Sequence, residues 1–324
     1  MSPSVDPSIL ERPIRRVLVV GVSSYLGAAL ASGLREHFEV FGTYFSRPCR
    51  IDGVTCLPMN LSNGGEIVEV LKRTRPDVVL YAVSMRSAES CEENPQKADT
   101  IHFRAATVFL KLSPYPLRFV YYSVDEVFGL SSPTNPAGFG ERDLTMPTSV
   151  LSKTRAAGEV ATLSQVRSCA VIRLGDVYGE DFRPGSHLCA NWVGIVSTKL
   201  VKGETVTLPR DLMRTPVYVG DVVRATHKLL GDFPLGSTTE AYHWGGPTGC
   251  SPYDLALEMT SRLGWDAARI KPGSSVKGKT ARPIDARLNS KKFAERFGFH
   301  FQSPVDGVHE LTERLRLGQT SHWP

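Results

Sequence analysis

The chain has 324 residues, 41% hydrophobic and 22% charged, with a formal net charge of +5, which is ordinary for a globular protein with a large core and room for two lobes. No apolar run approaches the about 18–20 residues that a membrane span needs, and the cations are interleaved with acids and not gathered into a nucleic-acid-binding stripe, so neither a membrane nor a nucleic acid is expected as a partner. The six cysteines are scattered without a CxxC pair, a pattern that fits reduced thiols in the cytoplasm and neither a disulfide framework nor a zinc site.

Residues 1–14 lack the apolar core of a secretion signal and read as a flexible lead-in. Val17–Val20 then begins an alternation of β-branched apolar runs and amphipathic stretches. The runs continue at Val40–Tyr44, Val78–Ala82, Phe119–Ser123 and Ala170–Leu174, with helical spacing over Leu26–His37, Glu66–Arg73, Lys97–Lys111 and Ser152–Ser164. Continuous apolar strands separated by helices predict a parallel sheet covered on both faces, wound by right-handed crossovers into a Rossmann-like α/β fold. After Leu174, glycine and proline become frequent and the strand signals are isolated, at Pro216–Val219 and Ala241–Trp244. This predicts a dinucleotide-binding domain over 1–174 and a smaller α+β substrate-binding lobe over 175–324, with about 216–232 returning to the first domain.

Two places point to a nucleotide. Val17–Val20 runs into Gly21-Val22-Ser23-Ser24-Tyr25-Leu26-Gly27 and a helix, the strand–turn–helix unit on whose amides a diphosphate can sit. Gly21 would permit the tight turn and Gly27 the close packing of helix on strand. The middle position, usually glycine, is Ser24, whose hydroxyl could donate to a phosphate oxygen. A turn without ligand is the plain alternative. The second strand ends in Phe45-Ser46-Arg47; a cation beside a hydroxyl there favours the extra phosphate of NADP(H) over NAD(H), the alternative being a solvated loop. Asn60, after the third strand, could meet the adenine edge.

Several further stretches carry a family resemblance: RPDVVLYAVS (75–84), SCEENPQKA (90–98), RFVYYSVDEVF (118–128), SKTRAAGE (152–159), VIRLGDVYG (171–179), RTPVYVGDVVRA (214–225), AYHWGG (241–246) and YDLALEMTSRLG (253–264). From Val17 to about Phe299 the chain resembles the extended short-chain dehydrogenase/reductases, within them the dTDP-4-dehydrorhamnose reductase group. That resemblance implies a dinucleotide held by Gly21, Ser23, Ser24, Tyr25, Leu26, Gly27, Ser46, Arg47, Asn60, Leu61, Ala82, Val83, Ser84 and the residue at 155. It implies a nucleotide-linked sugar near Met85, Arg86, Asp176 and Arg214, for the last of which an ion pair beside a strand is the alternative. A homodimer is compatible with it.

The catalytic positions depart from the family. Where it has a proton-donating tyrosine, a lysine and a hydroxyl after the fifth strand, this chain has Leu151, Arg155 and Val124. A general acid contributes typically ~10²–10⁴ in rate, and leucine supplies none. Arg155 could still hold a ribose or an oxyanion, with a different shape from lysine. Ser123 and Asp125 are the nearest polar groups; they share a strand face opposite Val124, and Asp125 reads as a structural acceptor. No HxxxH or HExxH spacing marks a metal site; His102 and His243 read as packed or surface residues, and Cys91 as part of a helix start. Three readings follow: an NADP(H)-dependent nucleotide-sugar reductase with an altered proton relay, a dinucleotide-binding regulatory protein that docks on a partner, for which the regulatory subunit of methionine adenosyltransferase is the family precedent, and an isomerase on a retained nucleotide-sugar site.

Overall fold

The computed structural model describes residues 13–85, 87–130, 132–165, 168–183, 192–233, 239–264, 266–275 and 283–316. Most of the expected lead-in and Arg86 therefore lie outside the described residues. A seven-stranded sheet, parallel throughout, runs in the order β10-β6-β5-β4-β1-β2-β3. Its strands are β1 Arg16–Val20, β2 Glu39–Tyr44, β3 Val54–Pro58, β4 Val78–Tyr81, β5 Arg118–Val124, β6 Cys169–Leu174 and β10 Glu240–Trp244. The predicted Rossmann-like architecture is the observed one.

Each face of the sheet is covered because the central strands are apolar on both sides. One cluster joins Val17, Val19, Val120 and Ile172 to helices Tyr25–Leu34 and Val219–Gly231; the other joins Leu18, Tyr81, Phe119 and Tyr121 to helices Gly64–Thr74 and Ala105–Leu112. In Gly64–Thr74 the buried residues Ile67, Val70, Leu71 and Thr74 make one helical stripe, and Asn63 caps the start by accepting from the Gly65 and Glu66 amides. The helix Val219–Gly231 packs on Tyr25–Leu34.

Two differences from the sequence reading have physical causes. The stretch read as one helix over 97–111 is Pro95–Asp99, a π turn over Thr100–Arg104, and Ala105–Leu112. The wide turn is matched by partners: the Tyr81 hydroxyl donates to the Ile101 carbonyl at 2.6 Å and the Tyr121 hydroxyl to the His102 carbonyl at 2.7 Å. Residues 240–244, read with the smaller lobe, are the edge strand of the large sheet. Their open edge is blunted by side chains: Glu141 accepts from the His243 amide at 3.0 Å and the Lys292 ammonium donates to the Ala241 carbonyl at 2.9 Å.

The remaining structure is built on a two-stranded pair, β8 Val206–Pro209 with β11 Ile270–Gly273, packed against helices Trp192–Val201 and Pro252–Leu263. A second short ladder pairs β7 Val177–Tyr178 with β9 Val217–Tyr218. Among the described residues no helix is long and apolar enough to cross a membrane.

Candidate dinucleotide and catalytic site

The turn after β1 is tight and leads directly into a helix. Gly21 has φ +93°, and a side chain on it would press on Val83 at 3.0 Å. A side chain on Gly27 would collide with the Gly21 carbonyl, so this glycine lets the helix start close on the strand. The helix Tyr25–Leu34 opens here, and its first-turn amides belong to the set a helix cannot satisfy internally. Ser23 is exposed and Tyr25 and Leu26 are half-buried. Ser24 differs from expectation. Its oxygen accepts from the Gly27 amide at 3.1 Å and its hydroxyl donates to the Ala82 carbonyl at 3.5 Å. The serine is a helix cap, turned away from the role of phosphate donor, because the orphan Gly27 amide is the nearer partner.

Ser46 and Arg47 are exposed after β2, and Arg47 forms no ion pair among the described residues. Asn60 is tied into a helix start: its side-chain oxygen accepts from the Ser62 amide at 3.0 Å, and its own amide donates to Glu66 at 2.7 Å. Leu61 is half-buried beside it. After β4, Ala82 is buried and Val83 half-buried; the exposed Ser84 hydroxyl donates to the Met85 carbonyl at 3.0 Å.

Of the three positions that the resemblance matches to catalytic residues, Val124 ends β5 and Arg155 reaches the carboxyl ends of β4 and β5 through the Val83 and Tyr122 carbonyls. Ser149 and Ser152 form a reciprocal capping box that starts the helix Val150–Leu163, and this fixes Leu151 and Arg155 one turn apart on the same face. Leu151 is half-buried and brings only methyl groups. Val124 packs with Ala156 against a small cluster of Val127, Phe128, Phe139 and Leu288. Arg155 is 3% exposed. Its guanidinium donates to the Tyr122 and Val83 carbonyls, both at 3.0 Å, and lies 5.7 Å from the Tyr121 ring centre. Among the described residues it has no carboxylate partner, and its Nε has no hydrogen-bond partner. A buried cation held by backbone dipoles is a structural tie between strand ends.

Other hydroxyls nearby are engaged or enclosed. The Ser152 hydroxyl belongs to the capping box. Ser123 is 1% exposed and its oxygen is enclosed without a partner. The Tyr121 and Tyr122 phenols are buried, which pushes their pKa values up, and they bond the His102 carbonyl and the Thr226 hydroxyl. Asp125 and Arg214, read as candidates for chemistry and for substrate, instead form a buried ion pair at 3.6 Å. Arg214 also donates to the Met213 carbonyl at 2.8 Å and the Pro283 carbonyl at 2.6 Å. This geometry matches the ion-pair alternative for Arg214 and the structural reading of Asp125. Asp176 is half-buried, and its carbonyl accepts from Val217 at 2.9 Å.

Two groups at the site are not legible from spacing. His102 is fully buried in the π turn; its Nε2 accepts from the Met85 amide at 3.2 Å, so its Nδ1–H donates to Thr154 at 2.8 Å. Burial, then the Arg155 charge, pushes its pKa down to about 2, and the ring stays neutral. It locks the segment after β4 to the helix that carries Leu151. Glu159, next turn after Arg155, pairs at 2.8 Å with Arg173 of β6, on which its helix packs, both buried; its spacing from Arg155 gives no sign of that partner. Among the described residues, no cluster of three metal-ligating side chains occurs.

The model for the RmlD substrate binding domain matches residues 15–317. The chain is 25% identical over 307 residues to methionine adenosyltransferase 2 subunit beta of Xenopus laevis, covering 92% of this chain and 87% of that one. It is 26% identical over 267 residues to a probable low-salt glycan biosynthesis reductase of Haloferax volcanii, covering 82% and 85%. A dTDP-4-dehydrorhamnose reductase from Bacillus anthracis, solved in complex with NADP, superposes with a TM-score of 0.77 at 19% identity over 93% of this chain and 99% of that one. With the strand order, the glycine turn and the substituted catalytic helix already in place, the match fixes ancestry: the chain belongs to the RmlD substrate binding domain family.

Proposed function

We propose that this chain binds a nicotinamide dinucleotide, NADP(H) in preference to NAD(H), without using it to reduce a carbonyl, and serves as a dinucleotide-sensing regulatory partner of another protein. The observation that carries this reading is the face of the helix Val150–Leu163: methyl groups at Leu151 and a guanidinium at Arg155 already spent on the Val83 and Tyr122 carbonyls. When bound, the dinucleotide would supply hydride. Among the described residues, the positions that the resemblance matches to the family's proton donor and its neighbours, Leu151, Arg155 and Val124, offer no acid to protonate the oxygen that hydride transfer leaves behind. Binding rests on other residues. The Gly21–Gly27 turn would hold the diphosphate, Arg47 the ribose phosphate, Asn60 and Leu61 the adenine, and the segment Ala82–Ser84 the nicotinamide half. The family relative from Bacillus anthracis is solved in complex with NADP, which supports the ligand class.

The regulatory half draws on the likeness to a methionine adenosyltransferase subunit across nearly the whole of both chains. The competing reading is a reductase of a nucleotide-linked sugar, favoured by the likeness to a glycan biosynthesis reductase. Titration of the full chain with NADPH, followed by fluorescence transfer from tryptophan, and then addition of a nucleotide-linked 4-keto sugar separates the two. The expected result is saturable binding with no oxidation of NADPH. Brisk oxidation would overturn the non-catalytic reading, and an absence of binding would overturn the dinucleotide site. In the double variant L151Y/R155K, onset of turnover would locate the loss in the proton relay alone.

A further inference from the structure

A cavity of about 520 Å³ lies at the outer edge of the large sheet, away from the dinucleotide turn. β10 forms that edge, and β6, β5 and β4 stand between it and β1, a span of roughly 19 Å at about 4.8 Å per strand. The size falls within the about 300–1,000 Å³ of small-molecule sites. Three segments wall the cavity: Gly140 with Glu141, the β10 residues Glu240 and Tyr242, and Asn289 with the helix Lys291–Phe297. Their positions are fixed by pairing and packing. The Phe139 amide donates to the Arg287 carbonyl at 2.7 Å and the Asn289 amide to the Phe139 carbonyl at 2.8 Å, which seats Glu141 beside the helix start. Phe293 and Phe297, one turn apart, meet the Tyr242 ring edge-on with centroids 5.6 and 5.5 Å away. With that stripe on the strand, Lys292 and Arg296 form a second stripe and Lys291 and Glu295 a third, and all four line the cavity.

Six charged side chains face this space, and four of them pair with each other: Lys292 with Glu240 at 2.7 Å and Lys291 with Glu295 at 3.5 Å. The Lys292 ammonium is held further by the Ala241 carbonyl at 2.9 Å and by the Tyr242 ring, 4.7 Å from its centre. Glu141 and Arg296 are left over. Half-buried Glu141 accepts from the His243 amide at 3.0 Å and pairs with no cation among the described residues. Lys292 and Arg173, the cations that act on it, are committed to Glu240 and Glu159. Burial pushes the Glu141 pKa up in spite of them. Exposed Arg296 lies 5.7 Å from the Phe297 ring centre and has no carboxylate partner among the described residues. One cavity thus presents an uncompensated carboxylate and an uncompensated guanidinium. A ligand of one sign would satisfy one of them and be opposed by the other, whereas a ligand carrying both signs satisfies the two together.

We propose that this edge cavity binds a zwitterionic small molecule of the amino-acid class, with its ammonium on Glu141 and its carboxylate on Arg296. The ammonium gives Glu141 the cation it lacks in a partly desolvated place, where such a contact is strongest. The carboxylate takes the planar guanidinium through two parallel hydrogen bonds, the geometry in which arginine and a carboxylate fit best. The exposed pair Lys291–Glu295 is worth little by itself, so either member opens readily toward a longer ligand. The site is independent of the dinucleotide reading, since none of its residues belongs to the turn after β1 or to the helix Val150–Leu163.

L-Lysine is the probe, because it offers an ammonium and a carboxylate at both a short and a long separation. The full chain is titrated with it by calorimetry at neutral pH and fixed ionic strength, with cadaverine and hexanoate as controls that keep only one sign each. The expected result is saturable binding of lysine at one site, with both controls weaker by about tenfold or more, the loss of one charge-assisted contact. The variants E141Q and R296Q should each weaken lysine by about the same factor, whereas K228Q, at an exposed position outside the cavity, should leave it unchanged. Glutamine at 141 keeps an oxygen for the His243 amide, and urea midpoints matched to the parent chain separate lost binding from lost fold. If E141Q unfolds, R296Q at its exposed position decides. Absence of saturable lysine binding overturns the site. Cadaverine or hexanoate binding as tightly as lysine overturns the two-sign ligand, and lysine affinity untouched by R296Q overturns the placement.

Discussion

Arg155 donates through Nη2 to the carbonyl oxygen of Val83 at 3.0 Å, which fastens the helix bearing the family catalytic positions to the segment after β4. The same guanidinium reaches the Tyr122 carbonyl at 3.0 Å. One side chain thus spans helix, β4 and β5. It works as a tie.

Arg155→Ala should therefore cost stability. Two buried carbonyls lose charge-assisted bonds worth about 1.5–3 kcal/mol each, offset in part because a cation without a carboxylate partner no longer has to be buried. A net loss of about 2 kcal/mol is expected in urea unfolding. An unchanged midpoint would show that the guanidinium holds nothing together.

Arg47→Glu should act on ligand choice and leave stability alone, because the side chain is exposed and unpaired among the described residues. A reversed charge near the ribose phosphate of NADPH should raise its Kd about tenfold, roughly 1.4 kcal/mol at a screened site, with NADH little affected. Parallel titrations with both dinucleotides at one ionic strength measure the split. An equal effect on the two would remove Arg47 from the phosphate site.

The buried histidines set a pH dependence with a definite sign. His102 and His243 are pushed by burial first, and then by the charges of Arg155 and Arg173 respectively, down to about 2 and about 3. Their folded pKa values lie below the unfolded value of about 6.5, so the unfolded chain takes up protons first on acidification. The stability they contribute is fully present above about 6.5 and is lost as pH falls from there toward about 3. Between pH 7 and pH 5 each should remove roughly 2 kcal/mol. His102→Asn should flatten the pH dependence of the urea midpoint by about that amount; an unchanged slope would mean that His102 is not held neutral.

Gly158→Ala tests the packing of the catalytic helix. A methyl group there would collide with the Tyr121 hydroxyl and the His102 carbonyl, two partners already bonded at 2.7 Å. Overpacking of this kind costs about 1–3 kcal/mol. Thermal unfolding should show the loss, and a neutral outcome would mean that the π turn yields easily.

Much of this was legible before folding because it is local. The strand runs at Val17–Val20 and Val78–Ala82 have no charged residue, and Phe119–Ser123 is polar only at its end, a pattern suited to strands buried on both faces. The turn at Gly21 and the cap sequence at Ser149 depend on residues within a few positions of each other. The chain is helical over 97–111 as read, but the π turn at Thr100–Arg104 could not be foreseen, because its partners are the hydroxyls of Tyr81 and Tyr121, which arrive from two other strands. Residues 240–244 carry a strand signal with no indication of which sheet it joins.

By itself the sequence determined the α/β alternation, the glycine turn and the absence of a phenol at Leu151, since each depends on side-chain identity at fixed spacing along the chain. Only the tertiary structure decided what the polar groups do. Asp125 meets Arg214, Glu159 meets Arg173, Arg155 meets two carbonyls, and the Cys49 thiol meets the Val22 carbonyl. A hydrogen bond or ion pair forms with whichever partner the packed sheet brings within about 3 Å, and that distance is set by crossovers far apart in sequence.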